Sequence, residues 1–170
     1  MPAEELRAVE EAVASHPDVR EVAAVALDGE LAAGVVPVDF ASAPAIRDHA
    51  WETLRAGAPK TIALLAALPR DGDGAVDRAE LRRVLTEDDL PRSTYAVPET
   101  ELEIMVAEVL REVLNLPRVG LDDDFLELGG DSLRAIEVAN LLEERVGLQV
   151  TLEQVFDAAT VRNLVRGAEE

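Results

Sequence analysis

The chain has 170 residues, 48% of them hydrophobic but only 3% aromatic, so it can bury a real core and must pack it with Leu, Val and Ala. Sixteen basic residues against 35 acidic ones leave a net charge of −19, which repels nucleic acid and anionic membrane surfaces and favours a basic face on any charged partner. The absence of cysteine excludes a disulfide framework, a thiolate nucleophile and a cysteine metal site.

The opening "MPAEELRAVEEAV" is acidic and lacks the apolar stretch of a signal peptide, and the longest fully apolar run, Ile62 to Leu68, is far too short to cross a bilayer. A cytoplasmic location is expected. Leu6, Val9 and Val13 recur at helical spacing, and "HPDV" ends that pattern near Ser15. Val19 to Leu27 and Leu31 to Val38 are Val- and Ala-rich runs on either side of Asp28-Gly29, which reads as a hairpin. A second helix after Pro44 carries Ile46, Ala50, Trp51 and Leu54, with Trp51 read as core. "TIALLAAL" fits a short buried strand or a helix, because periodicity does not separate them at that length. "DRAELRRVL" is a helix with Leu81, Val84 and Leu85 on one face. This order predicts a small α+β domain over residues 1–85.

Residues 86–97, within "TEDDLPRSTYAVPE", have the acidic, proline-bearing chemistry of a linker. From residue 98 to 170 the pattern is helical throughout. Leu102, Met105, Val106, Val109, Leu110 and Val113 mark the apolar face of a long helix, followed by the loop "LPRVGLDDDF". Asp131 can cap a helix running to about Val146, and short helices near Leu152 to Phe156 and Val161 to Arg166 complete an all-α four-helix bundle.

Two stretches carry chemistry. In "DDDFLELGGDSLRAIEVANLL", Gly129 and Gly130 permit a tight turn or a close approach and place Ser132 at the first turn of a helix. The bland account is that Asp131 and Ser132 only cap that helix. Yet Arg134, Glu137, Asn140 and Glu144 form a narrow polar stripe, so Leu133 and Ile136 either pack inward or meet a partner. Both histidines, His16 and His49, lie in the other half and read as surface or satisfied residues, so Ser132 has no evident base and a self-contained hydrolase is not expected. A serine modified by a second enzyme needs only an exposed hydroxyl. The other stretch, "LPRDGDGAVDRAEL", nearly fits a calcium loop. With Asp71 at position 3, Asp73, Gly74, Asp77 and Glu80 fall at 5, 6, 9 and 12, but position 1 is Pro69, which has no side-chain oxygen. No metal site is expected from it.

From about Tyr95 to Ala168 the chain resembles a peptidyl carrier domain of nonribosomal peptide synthetases, through "DDDFLELGG", "DSL" and "VFDAATVRNLV". The resemblance implies that Ser132 receives 4'-phosphopantetheine from coenzyme A through a separate phosphopantetheinyl transferase that supplies magnesium and base. It implies an aminoacyl or peptidyl thioester on that arm, and recognition of Gly129, Gly130, Asp131, Leu133 and Ile136 by partners: an adenylation enzyme acting in trans or in a longer synthetase, and condensation, tailoring or thioesterase domains. From Glu5 to Arg78 the chain is similar to the C-terminal subdomain of adenylation domains, through "ELRAVEEAVASHPDVREVAAVA", "DGELAAGVVP" and "LPRDGDGAVDR". There the family pattern ends Gly-Lys-x-Asp-Arg; Gly74, Asp77 and Arg78 match, but Ala75 stands at the lysine, and Lys60 lies elsewhere in the pattern. An alanine provides no ammonium to orient and screen a carboxylate and an α-phosphate. The leading expectation is a noncatalytic adenylation remnant fused to a carrier, with half of a split or excised adenylation enzyme and a calcium-binding interaction module as alternatives.

Overall fold

The computed structural model describes residues 2–169, and they fall into two compact units that divide between Thr94 and Tyr95. The first unit contains α1 (Ala3–Ala14), β1 (Val19–Leu27), β2 (Glu30–Pro37), α2 (Ala43–Leu54), β3 (Thr61–Leu64), α3 (Arg78–Val84) and β4 (Arg92–Thr94). The strands form one sheet in the order β1-β2-β3-β4, antiparallel between β1 and β2, parallel between β2 and β3, and antiparallel between β3 and β4. "TIAL", which sequence left open between strand and helix, is β3.

The β1–β2 turn sits on Asp28 and Gly29 at φ 51° and 82°, the pair of positive values that matches the twist of a two-residue hairpin. Alternation along the strands then sends Ala24, Ala33 and Val35 to one face, against Val9, Val13, Ile46 and Ala50 of α1 and α2. Ala23, Val25, Ala32 and Val36 go to the other, against Leu65, Leu68, Leu81 and Leu85. Burial on both faces explains why these strands read as continuous apolar runs. Gly34 is needed in β2 because a Cβ there would lie 2.8 and 2.9 Å from the side chains of Leu65 and Leu81. Trp51 is only half-buried, with the Arg55 guanidinium 4.3 Å from its ring centroid.

The expected linker is partly sheet. Residues 92–94 form edge strand β4, and Leu64 N–H donates to the Pro91 carbonyl at 2.8 Å. Tyr95 and Ala96 belong to the second unit: the Arg118 guanidinium lies 3.8 Å from the Tyr95 ring centroid, and Leu121 N–H donates to the Ala96 carbonyl at 2.9 Å. Polar residues with a flanking proline suit an edge strand as well as a loop, so composition alone misassigned them. What draws β4 inward is Arg47 of α2, fully buried, which donates to Ser93 Oγ at 2.6 Å and to Asp48 Oδ1 at 2.9 and 3.1 Å.

The second unit is helical: α4 (Glu101–Leu114), α5 (Ser132–Leu141) extended by a π-helical turn (Leu142–Val146), α6 (Leu152–Ala158) and α7 (Val161–Glu169). Reciprocal capping by Thr100 with Glu103 and by Thr151 with Gln154 starts α4 and α6. Their apolar faces, with Val106, Leu110, Phe125, Val138, Leu142, Val155 and Leu164, enclose one core. No helix among the described residues is long and apolar enough to cross a membrane.

Replacing Arg47 by Ala would strand the Asp48 carboxylate in the interior. The expected loss is about 3–5 kcal/mol in the first unit, read as a lower urea midpoint of Trp51 fluorescence. A paired Arg47→Met, Asp48→Leu replacement recovers most of that loss.

Candidate functional site

The loop between α4 and α5 is held by a small number of strong contacts. Asp123, 3% exposed, accepts from Gly120 N–H at 2.9 Å, and Asp124 Oδ1 accepts from Leu126 and Glu127 N–H at 2.9 and 3.2 Å. Asp122 is paired with Arg162 at 2.7 Å, and this hydrogen bond holds its carboxyl below the usual range. Partial desolvation, helped by Asp124 and Asp123, lifts that of Glu127. Phe125 is buried beneath the turn, with its N–H on the Ala159 carbonyl at 2.6 Å and its own carbonyl accepting from Gly130 N–H at 2.9 Å.

The two glycines have different reasons to be there. Gly129 has φ 95°, a left-handed conformation that glycine adopts without a Cβ penalty. Gly130 sits on the Phe125 ring: a Cβ would meet three ring atoms within 2.6 Å. Asp131 is the N-cap of α5, its Oδ1 accepting from Arg134 N–H at 2.9 Å. Ser132 therefore opens the helix without being its cap, and its side chain is exposed. Leu133 is 76% exposed, with Ile136 and Leu126 also exposed, so of the two dispositions left open for Leu133 and Ile136 the chain adopts the outward one.

A phosphodiester suits this position. An exposed hydroxyl on the first turn puts an attached anion at the positive end of the helix dipole, and nothing among the described residues covers it.

In the first unit, "RDGDGAV" is a closed turn. Asp71 Oδ1 accepts from the N–H groups of Asp73 and Ala75 at 2.9 and 3.1 Å, Arg70 donates to the Gly74 carbonyl at 3.0 Å, and Arg70 bridges to Val76. Asp77 caps α3 through Glu80 N–H at 3.0 Å, while Glu80 is paired with Arg83 at 2.5 Å. Three of the four carboxylates that a calcium loop would use, those of Asp71, Asp77 and Glu80, are thus engaged within the turn and α3, and the turn follows β3 with no entering helix. Ala75 is exposed on this turn. Arg78 pairs with Glu10 at 2.8 Å and donates to the Ala24 carbonyl, tying the turn to α1 and β1. His49 Nε2 lies 2.7 Å from Ser15 Oγ, and burial, then His49, lowers the pKa of His16.

Sequence pattern alone does not single out Phe125 or Arg134. What the sequence does display is a phenylalanine four residues before a glycine pair, and an Asp-x-x-Arg spacing across a helix start.

Residues 105–167 match the phosphopantetheine attachment site family. A plipastatin synthase of Bacillus subtilis is 31% identical over 94% of this chain, and a linear gramicidin synthase of Brevibacillus parabrevis is 36% identical over 94%. A solved structure of McyG A-PCP complexed with phenylalanyl-adenylate is 25% identical, covers 95% of this chain and 30% of its own, and superposes with a TM-score of 0.41. The chain spans only 6% and 3% of the two synthetases. Its helical unit carries a phosphopantetheine attachment domain, and over most of its length the chain is similar to a short stretch of nonribosomal peptide synthetases.

Replacing Gly130 by Ala forces the buried Phe125 ring to move. The expected cost is about 1–3 kcal/mol, seen as faster hydrogen exchange across the α4–α5 loop and α6 with the first unit unchanged.

Proposed function

We propose that the chain is a carrier: Ser132 bears the 4'-phosphopantetheine arm, and the helical unit is a four-helix peptidyl carrier bundle over residues 98–170. The observation that carries this reading is that Asp131 caps α5, so the Ser132 hydroxyl is exposed and not needed by the helix. In the loading step a bond forms between Ser132 Oγ and the β-phosphorus of coenzyme A while the pyrophosphate linkage breaks. Adenosine 3',5'-bisphosphate leaves, and the serine proton passes to a base on the transferase. The arm supplies a terminal thiol that holds an aminoacyl or peptidyl group as a thioester.

The chain's own contribution is presentation. Gly129 and Gly130 bring the turn close to whatever docks on it, and Leu126, Leu133 and Ile136 offer an apolar surface beside Ser132. A phosphopantetheinyl transferase, an adenylation enzyme, and condensation, tailoring or thioesterase domains are the partners such a surface serves.

Residues 1–85 fit an adenylation C-terminal subdomain that has lost its lysine. Arg78 and Asp77 retain structural roles there, while the methyl of Ala75 offers no cation to a carboxylate or phosphate. Its remaining use is as a platform for docking.

Incubation with coenzyme A, magnesium and a broad-specificity transferase is expected to add the mass of one phosphopantetheine to the parent and none to Ser132→Ala. No gain on a folded parent would reject the assignment. The chain alone is expected to give no amino-acid-dependent exchange of pyrophosphate into ATP; exchange above background would restore an enzymatic role.

A further inference from the structure

The peptide unit joining Gly129 to Gly130 is gripped on both sides. Its N–H donates to the Phe125 carbonyl at 2.9 Å, and its carbonyl accepts from Arg134 Nη1 at 3.0 Å. Between two glycines such a plane has little resistance of its own to rotation, since neither neighbour has a Cβ to obstruct it. Apart from its own chain neighbours, no heavy atom among the described residues lies within 4 Å of where a Gly129 Cβ would stand, so packing does not fix that residue either. Arg134 reaches back from α5 to do so, in the direction a helical side chain naturally takes. Its Nη1 is also 3.7 Å from Asp131 Oδ2, and its backbone N–H is the one that Asp131 Oδ1 caps. Side chain and backbone of one arginine thus both hold the chain just before Ser132, at Gly129 and at Asp131.

We infer that Arg134 is a positioning residue for Ser132: by fixing the Gly129–Gly130 peptide plane it sets the direction in which the serine hydroxyl is offered to the modifying enzyme. This rests on the reading of Ser132 as the attachment residue. Arg134 is half-exposed and outside the core, so replacing it tests presentation without removing the fold. A surface arginine that merely touched the transferase would act on encounter and change KM. An arginine that orients the hydroxyl acts after encounter and changes kcat.

The test combines transfer kinetics, with the apo chain as varied substrate, and the amide resonances of Gly129, Gly130 and Ser132. Arg134→Met keeps the aliphatic stem and removes the donors. It should lower kcat about fivefold, the worth of one ordinary hydrogen bond, with KM for the chain within about twofold. The three amides should broaden or double while those of α4 and α7 stay in place. Arg134→Lys, which keeps one donor and the charge, should recover part of kcat and sharpen the signals. A raised KM with unchanged kcat and unmoved amides would make Arg134 a docking contact and overturn the inference. Failure of the wild-type chain to accept phosphopantetheine would remove the attachment reading and this one together. Modification of the wild type with Arg134→Met equal to it in kcat would remove only this one.

Discussion

The helical unit depends on one buried ring. Phe125 lies in an otherwise irregular loop, yet its N–H is bound to the α6–α7 corner, its carbonyl holds Gly130, and its ring fills the space that any side chain at Gly130 would need. It also meets Phe156 of α6 edge to face, with ring centroids 6.0 Å apart. The partner carbonyl belongs to Ala159, a non-glycine residue at φ 59°, a conformation that disfavours a Cβ. The strain is tolerated because that backbone path aims the carbonyl at Phe125. Arg162 adds a second tie, donating its N–H to the Leu121 carbonyl and its guanidinium to Asp122. A long loop without regular structure is made definite by these few contacts.

The first unit is held by backbone and charged contacts that make no use of one exposed position on its turn. Its turn over residues 70–77 is closed by Asp71, Gly74 and Asp77, none of which needs a particular residue at 75. Arg78 still reaches α1 and β1, and both sheet faces remain covered. Ala75 therefore stands on that turn, exposed, without a visible structural defect.

The elements with strong local signals were legible from sequence. The Asp28-Gly29 hairpin, the Asp131-capped start of α5 and the apolar stripe of α4 each follow from residue type and spacing. β3 was ambiguous because a four-residue strand buried on both faces has no alternation to display. β4 was missed because its reason lies far off in sequence: a buried guanidinium on α2 needs an acceptor, and Ser93 supplies it. At the candidate site, Ser132 and the glycines were visible as a motif. The parts played by Phe125 and Arg134 were not, since a ring beneath a turn and a guanidinium closing on a carbonyl are facts of three-dimensional approach.

Helix α5 takes its cap from the residue before Ser132, and this arrangement has a thermodynamic side. A serine that served as the cap would lose that acceptor geometry on esterification, and the modification would be linked to the folding equilibrium. With Asp131 in that place, converting the hydroxyl to a diester removes no bond that the fold uses. The start of α5 is then independent of what becomes of that hydroxyl. Under the proposed attachment at Ser132, folding need not wait for the modifying enzyme, and the helix dipole lends only a modest preference to the anionic form.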